Sequence, residues 1–166
     1  MHKPLNLKSD YINVLLDTAA ERTRERGSRF YEIEFGVSLR DLRLLRLVGN
    51  APGISMGQLV NLSAIEKTLA SKLVSVLVRK GLVERQIGLE DARQIQLSLT
   101  DAGVDLVLKA EPLGKKLEAR FLHCLNEREI QMLKEILQKL IASEAASKDA
   151  FEASIAKLVE QKAATK

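Results

Sequence analysis

The feature that most constrains this chain is a change of hydrophobic period. Up to residue 80 the apolar side chains recur at spacings of three and four, the signature of amphipathic helices. After Lys80-Gly81, where basic residues precede a helix-ending glycine, Leu82 to Gln86 reads as a short strand. Ile87 to Gln94 reads as a polar loop, and Ile95, Leu97 and Leu99 then alternate with Gln96 and Ser98. This is a β-hairpin with one buried face, set into a chain that is otherwise helical.

Helix starts can be read from Ser or Thr followed three residues later by an acid or Gln, a spacing that lets the two residues satisfy each other's backbone N–H. Ser38 with Asp41 opens a run through Leu42, Leu45 and Val48 that stops at Gly49-Asn50-Ala51-Pro52-Gly53. Ser55 with Gln58 opens a very short helix around Leu59 and Val60. Ser63 with Glu66 is expected to open a third, with Leu69, Leu73, Val76 and Leu77 facing the core. A helix over roughly Asp10 to Arg26 precedes these. Thr100 caps a long helix whose pattern continues through Leu117 and Phe121, and Asn126 with Glu129 caps the next, which carries Ile130, Leu133, Ile136, Leu137, Leu140 and Ile141. Beyond Ser143 a weaker stripe of Phe151, Ile155, Leu158 and Val159 either extends that helix or forms its own, and Lys162 to Lys166 is expected to fray.

At 166 residues, 46% hydrophobic and 29% charged, the chain suits one intertwined helical unit rather than two independent cores. The net charge of +4 permits nucleic-acid binding without establishing it. No apolar run is long enough to span a bilayer and Met1 to Tyr11 lacks a secretory stretch, so no membrane association is expected and the chain is expected in the cytoplasm. Cys124 stands alone beside His123, and the other histidine is His2. Three or four ligands are needed for a metal, so none is expected, nor any cofactor. Phosphate-loop, zinc-peptidase and nucleophile-elbow motifs are missing, which leaves an enzyme reading without support.

Two helices joined by a tight turn and followed by a hairpin give a mainly α fold, a winged helix-turn-helix with a small β-hairpin wing. In such a fold the second helix enters the DNA major groove. Lys67, Thr68, Ser71, Lys72 and Ser75 are expected to project outward there, the lysines to neutralise phosphate and the hydroxyls to approach base edges. Arg85 lies on the first wing strand. Arg93 near the wing tip can enter a minor groove, with Asp91 orienting its guanidinium. Between Ser55 and Leu99, six basic residues face four acids.

The runs Gly81-Leu82-Val83-Glu84-Arg85, Glu90-Asp91-Ala92-Arg93 and Leu97-Ser98-Leu99-Thr100-Asp101-Ala102-Gly103 resemble the wing signature of the MarR (multiple-antibiotic-resistance regulator) family. Ala92 departs from the charged residue usual there. The resemblance spans about Asp10 to Ser143. It implies a winged DNA-binding domain over 37–103 and a helical dimerisation layer over 8–36 and 104–160. It further implies a homodimer on a pseudo-palindromic double-stranded DNA operator, acting as a repressor released by a small anionic or aromatic effector such as an aromatic acid or its thioester. Arg22, Arg26, Tyr31 and Arg43 fall in segments that line the effector pocket of relatives, although Arg22 and Arg26 equally suit the outside of the first helix. The alternative reading is a winged protein-interaction module without ligand control.

Overall fold

The computed structural model describes residue 5 and residues 8–87 and 95–164. In chain order the elements are α1 (Ile12–Phe35), α2 (Leu39–Asn50), β1 (Ile54–Ser55), α3 (Met56–Ser63), α4 (Lys67–Arg79), β2 (Val83–Ile87), β3 (Ile95–Leu99), α5 (Asp101–Phe121) and α6 (Glu127–Ala164). Residues 1–118 and 119–166 form two compact units. The mainly α winged fold read from the sequence is the fold observed.

Within the first unit, β2 and β3 pair antiparallel from Val83 opposite Leu99 to Ile87 opposite Ile95, which makes the wing. The two-residue β1 adds to the far side of β3, with Ile54 opposite Leu97, and the strand order is β1-β3-β2. This third strand has no sequence signal, because two residues cannot display a period.

Leu44, Leu45 and Val48 of α2 meet Leu59 of α3, Val74 and Leu77 of α4, Val83 of β2 and Leu97 of β3 in one buried cluster. Removing these side chains from water is the main force holding the winged unit together. A second cluster joins Tyr31 of α1, Leu42 of α2 and Ala110 of α5, with Phe35, Leu106 and Leu113 packed against it.

Three capping boxes form as expected. Ser38 Oγ accepts from Asp41 N while Asp41 Oδ2 accepts from Ser38 N, and Ser55 and Gln58 do the same. Asn126 Oδ1 accepts from Glu129 N, and Glu129 Oε2 accepts from Asn126 N. Ser63 does not cap the following helix. It ends α3, fully buried, with its Oγ donating to Val60 O and accepting from Ile65 N. Ala64 then turns the chain in a left-handed conformation, φ 51°, and α4 starts only at Lys67 with Glu66 itself as its N-cap. The inward face of α4 is also offset from the expected one: Ala70, Val74 and Leu77 are buried, Leu73 and Val76 are half-buried, and Leu69 is exposed, because the small Ala70 rather than Leu69 meets the core in the first turn.

The first helix runs nine residues past the expected end at Arg26, to Phe35. It passes through Gly27 because the chain there lies against Leu39, and a Cβ at Gly27 would sit 3.3 Å from Leu39 Cδ2. In the second unit α6 is a single helix that absorbs the stretch after Ser143 and continues through Lys162 to Ala164, where fraying was expected. Among the described residues no helix is long and apolar enough to cross a membrane, and no group of three or more His, Cys, Asp or Glu is placed to hold a metal.

Candidate nucleic-acid interface

The outer face of α4 is built by helical spacing. Thr68, Ser71, Lys72, Ser75 and Arg79 stand at intervals of three, four, seven and eleven residues, which puts them on one side, opposite Ala70, Val74 and Leu77. Thr68, Ser71, Lys72 and Arg79 are exposed and Ser75 is half-buried; Lys67 is exposed at the edge of this face. Arg79 was absent from the residues singled out in the sequence. Its signal is the spacing, four residues beyond Ser75 on the same face.

The N-terminal end of α4 is already occupied. Glu66 Oε1 accepts from Thr68 N at 2.7 Å and Oε2 from Leu69 N at 2.9 Å. These backbone bonds, with the Thr68 hydroxyl and the charge of Lys72, hold the Glu66 carboxyl below its ordinary pKa. A helix N-terminus otherwise attracts anions. Here an internal carboxylate takes that place, so any phosphate contact by α4 falls to side chains rather than to its terminal amides.

The wing is fastened to this helix. Arg85 Nη2 on β2 donates to Ser75 Oγ at 2.9 Å, and Ser75 Oγ donates in turn to Ser71 O at 2.9 Å. Ser75 thus spends its proton inside the protein and serves first to position Arg85. The other end of the hairpin is tied by Thr100, whose Oγ1 donates to Gly81 O at 2.6 Å and accepts from Gly103 N at 3.1 Å. Asp91 and Arg93 lie outside the described residues.

Lys80, the C-cap of α4, donates through Nζ to the carbonyl of Gly36, which ends α1. The base of the outward-facing helix is therefore held directly by the first helix.

The four residues assigned to an effector separate. Tyr31 is buried between α1, α2 and α5, while Arg22, Arg26 and Arg43 are exposed, and no hydrogen bond or ion pair among the described residues joins any of them to Tyr31. The basic residue that approaches Tyr31 is Arg46. Its Nη2 forms an ion pair with Glu111 Oε2 on α5 at 3.0 Å, and its Nε is buried with no partner among the described residues. A Cβ at Gly114 would lie 2.7 Å from Arg46 Nη2 and 3.1 Å from the Tyr31 hydroxyl, so both polar groups converge where α5 has no side chain.

The MarR family model matches residues 35–94, which include α2, β1, the helix-turn-helix of α3 and α4, and β2. The HTH-type transcriptional regulator BilQ of Clostridium symbiosum is 31% identical over 105 residues, 63% of this chain and 73% of the relative. The chain belongs to the MarR family. Solved MarR structures share its fold at lower identity. A mutant MarR from E. coli complexed with operator DNA superimposes with a TM-score of 0.71 and 19% identity over 78% of this chain and 92% of that one. A MarR family protein of Mycobacterium tuberculosis in complex with p-aminosalicylic acid gives 0.63 and 23% over 78% and 98%.

Proposed function

We propose that this protein is a sequence-specific DNA-binding transcriptional regulator that acts as a homodimeric repressor. The observation that carries the proposal is the polar and basic face of α4, Thr68, Ser71, Lys72, Ser75 and Arg79, braced by Arg85 from the wing. A helix fits the major groove, where Lys and Arg reach phosphates and guanine edges and short hydroxyls approach closely. The fold shared with the operator-bound MarR mutant supports this use of α4. Lys67, Thr68, Ser71 and Lys72 contact DNA, Ser75 and Arg85 hold the wing against the same groove, and Arg93 with Asp91 enters the flanking minor groove. Two copies, joined through α1, α5 and α6, read half-sites about one helical turn, ~10 base pairs, apart on a pseudo-palindrome.

A small anionic or aromatic acid releases the operator by binding near Tyr31, where the Arg46 guanidinium supplies a charged donor. The p-aminosalicylic acid held by the tuberculosis relative belongs to the same chemical class.

The test is a fluorescence anisotropy titration against duplexes selected by the purified protein from a random pool, across a salt series. Lys72→Ala is expected to weaken specific binding and to flatten the salt slope by about one ion. A dimer with no DNA affinity at low salt would overturn the proposal in favour of a protein-interaction module. Adding p-aminosalicylate to the bound complex is expected to release DNA from the wild type and not from Arg46→Ala.

A further inference from the structure

The apolar side of α6 carries two charges at its centre, and their positions select a partner. At about 100° per residue, Leu133, Leu137, Ile141, Glu144, Lys148, Phe151, Ile155 and Val159 fall within an arc of about 80°. Every member is apolar except Glu144 and Lys148. Ile141 is 70% exposed and Phe151 71%, and Leu133, Ile155 and Val159 are exposed as well. The spacing repeats every eleven residues, from Leu133 to Glu144 to Ile155 and from Leu137 to Lys148 to Val159, a period that keeps a stripe nearly straight along a helix. A straight stripe about 40 Å long suits a second helix laid along it.

We infer that this stripe docks antiparallel on the α6 stripe of a second copy of the chain, centred on residue 146. In that register Leu133 faces Val159 of the other copy, Leu137 faces Ile155, Ile141 faces Phe151, and Glu144 faces Lys148. Each apolar residue meets an apolar residue and each central charge meets its opposite. Sliding the copies by about one turn in either direction sets Glu144 against Glu144 or Lys148 against Lys148. A parallel, in-register pair makes both of those repulsive contacts together. Like charges brought together across an apolar seam are strongly disfavoured, which is how polar residues fix register and direction in paired helices. An i,i+4 pairing of Glu144 with Lys148 inside one helix explains neither the apolar residues on both sides nor their matching about residue 146.

The inference rests on the homodimer proposed above and adds its direction and register. It is tested by double electron–electron resonance on full-length protein in a Cys124→Ser background, with spin labels at Ala146→Cys or Lys157→Cys, both exposed. Antiparallel docking predicts a short separation at residue 146, about 20–30 Å, and about 40 Å at residue 157, because the two copies diverge along their axes. Equal short distances at both positions would mean a parallel pair and overturn the inference. A dimer by light scattering with long distances at both would overturn it while leaving the homodimer intact; a monomer would overturn both. Independently, Glu144→Lys and Lys148→Glu chains co-expressed with different tags are expected to be recovered mainly as mixed dimers. A statistical share of mixed dimers contradicts the Glu144–Lys148 contact.

Discussion

Arg85 on the wing donates a 2.9 Å hydrogen bond to Ser75 on α4, and Ser75 passes its own proton to the carbonyl of Ser71. The wing and the outward-facing helix are thereby coupled through one hydroxyl. Ser75→Ala and Arg85→Ala are each expected to weaken DNA binding by about three- to tenfold, the range of one ordinary intramolecular hydrogen bond partly exposed to water. The double variant should lose little more than Arg85→Ala alone, since both remove the same coupling. Fully additive losses in a double-mutant cycle, read by anisotropy, would mean that the two residues act separately.

Gly103 ends the run Leu99-Thr100-Asp101-Ala102-Gly103, and its role is steric. A Cβ there would lie 2.1 Å from the carbonyl oxygen of Leu82, a backbone atom that cannot swing aside. Gly103→Ala is therefore expected to push α5 away from the start of β2 and to lower stability by about 1–3 kcal/mol, the usual range for overpacking. Denaturant unfolding followed by circular dichroism checks this. An unchanged midpoint would mean that α5 can move without cost.

Local rules carried much of the fold into the sequence, and tertiary choices limited the rest. Ser38 with Asp41, Ser55 with Gln58 and Asn126 with Glu129 were legible because a cap depends only on residues three apart. Ser63 and Glu66 show the same spacing and fail, because Ser63 is buried as the last residue of α3 with its hydroxyl taken by Val60 and Ile65, which leaves Glu66 to cap α4 alone. The outward face of α4 could be read from its period, and so could its basic character. Arg46 could not be separated from Arg43, since the choice depends on which side of α2 meets the gap at Gly114, a residue far away in sequence.

Ala64 makes the corner between α3 and α4 in a left-handed conformation that costs a residue with a Cβ about 1–2 kcal/mol. Ala64→Gly removes that cost but adds about 0.4–1 kcal/mol of unfolded-state entropy, so the net expected change is a gain of up to about 1.6 kcal/mol. Ala64→Val crowds the same backbone with a branched side chain and is expected to destabilise. Paired thermal melts of the two variants read the ordering. A glycine variant less stable than the wild type would show that the Ala64 methyl group contributes more than its backbone strain costs.

Glu66 caps α4, and its carboxyl titrates below the ordinary range because the amides of Thr68 and Leu69 favour its charged form. A depressed folded pKa means that folding favours ionisation. The contribution is whole above the unfolded value, roughly pH 4.3, and is lost as pH falls through the lower folded value. Acidification should therefore release the first turn of α4 before it disturbs the buried cluster around Leu59 and Val74. Glu66→Gln is expected to fray that turn at neutral pH and to flatten the acid dependence of amide exchange at Thr68 and Leu69, measured by hydrogen exchange between pH 3 and 6. An identical pH profile in both proteins would remove Glu66 as the titrating group.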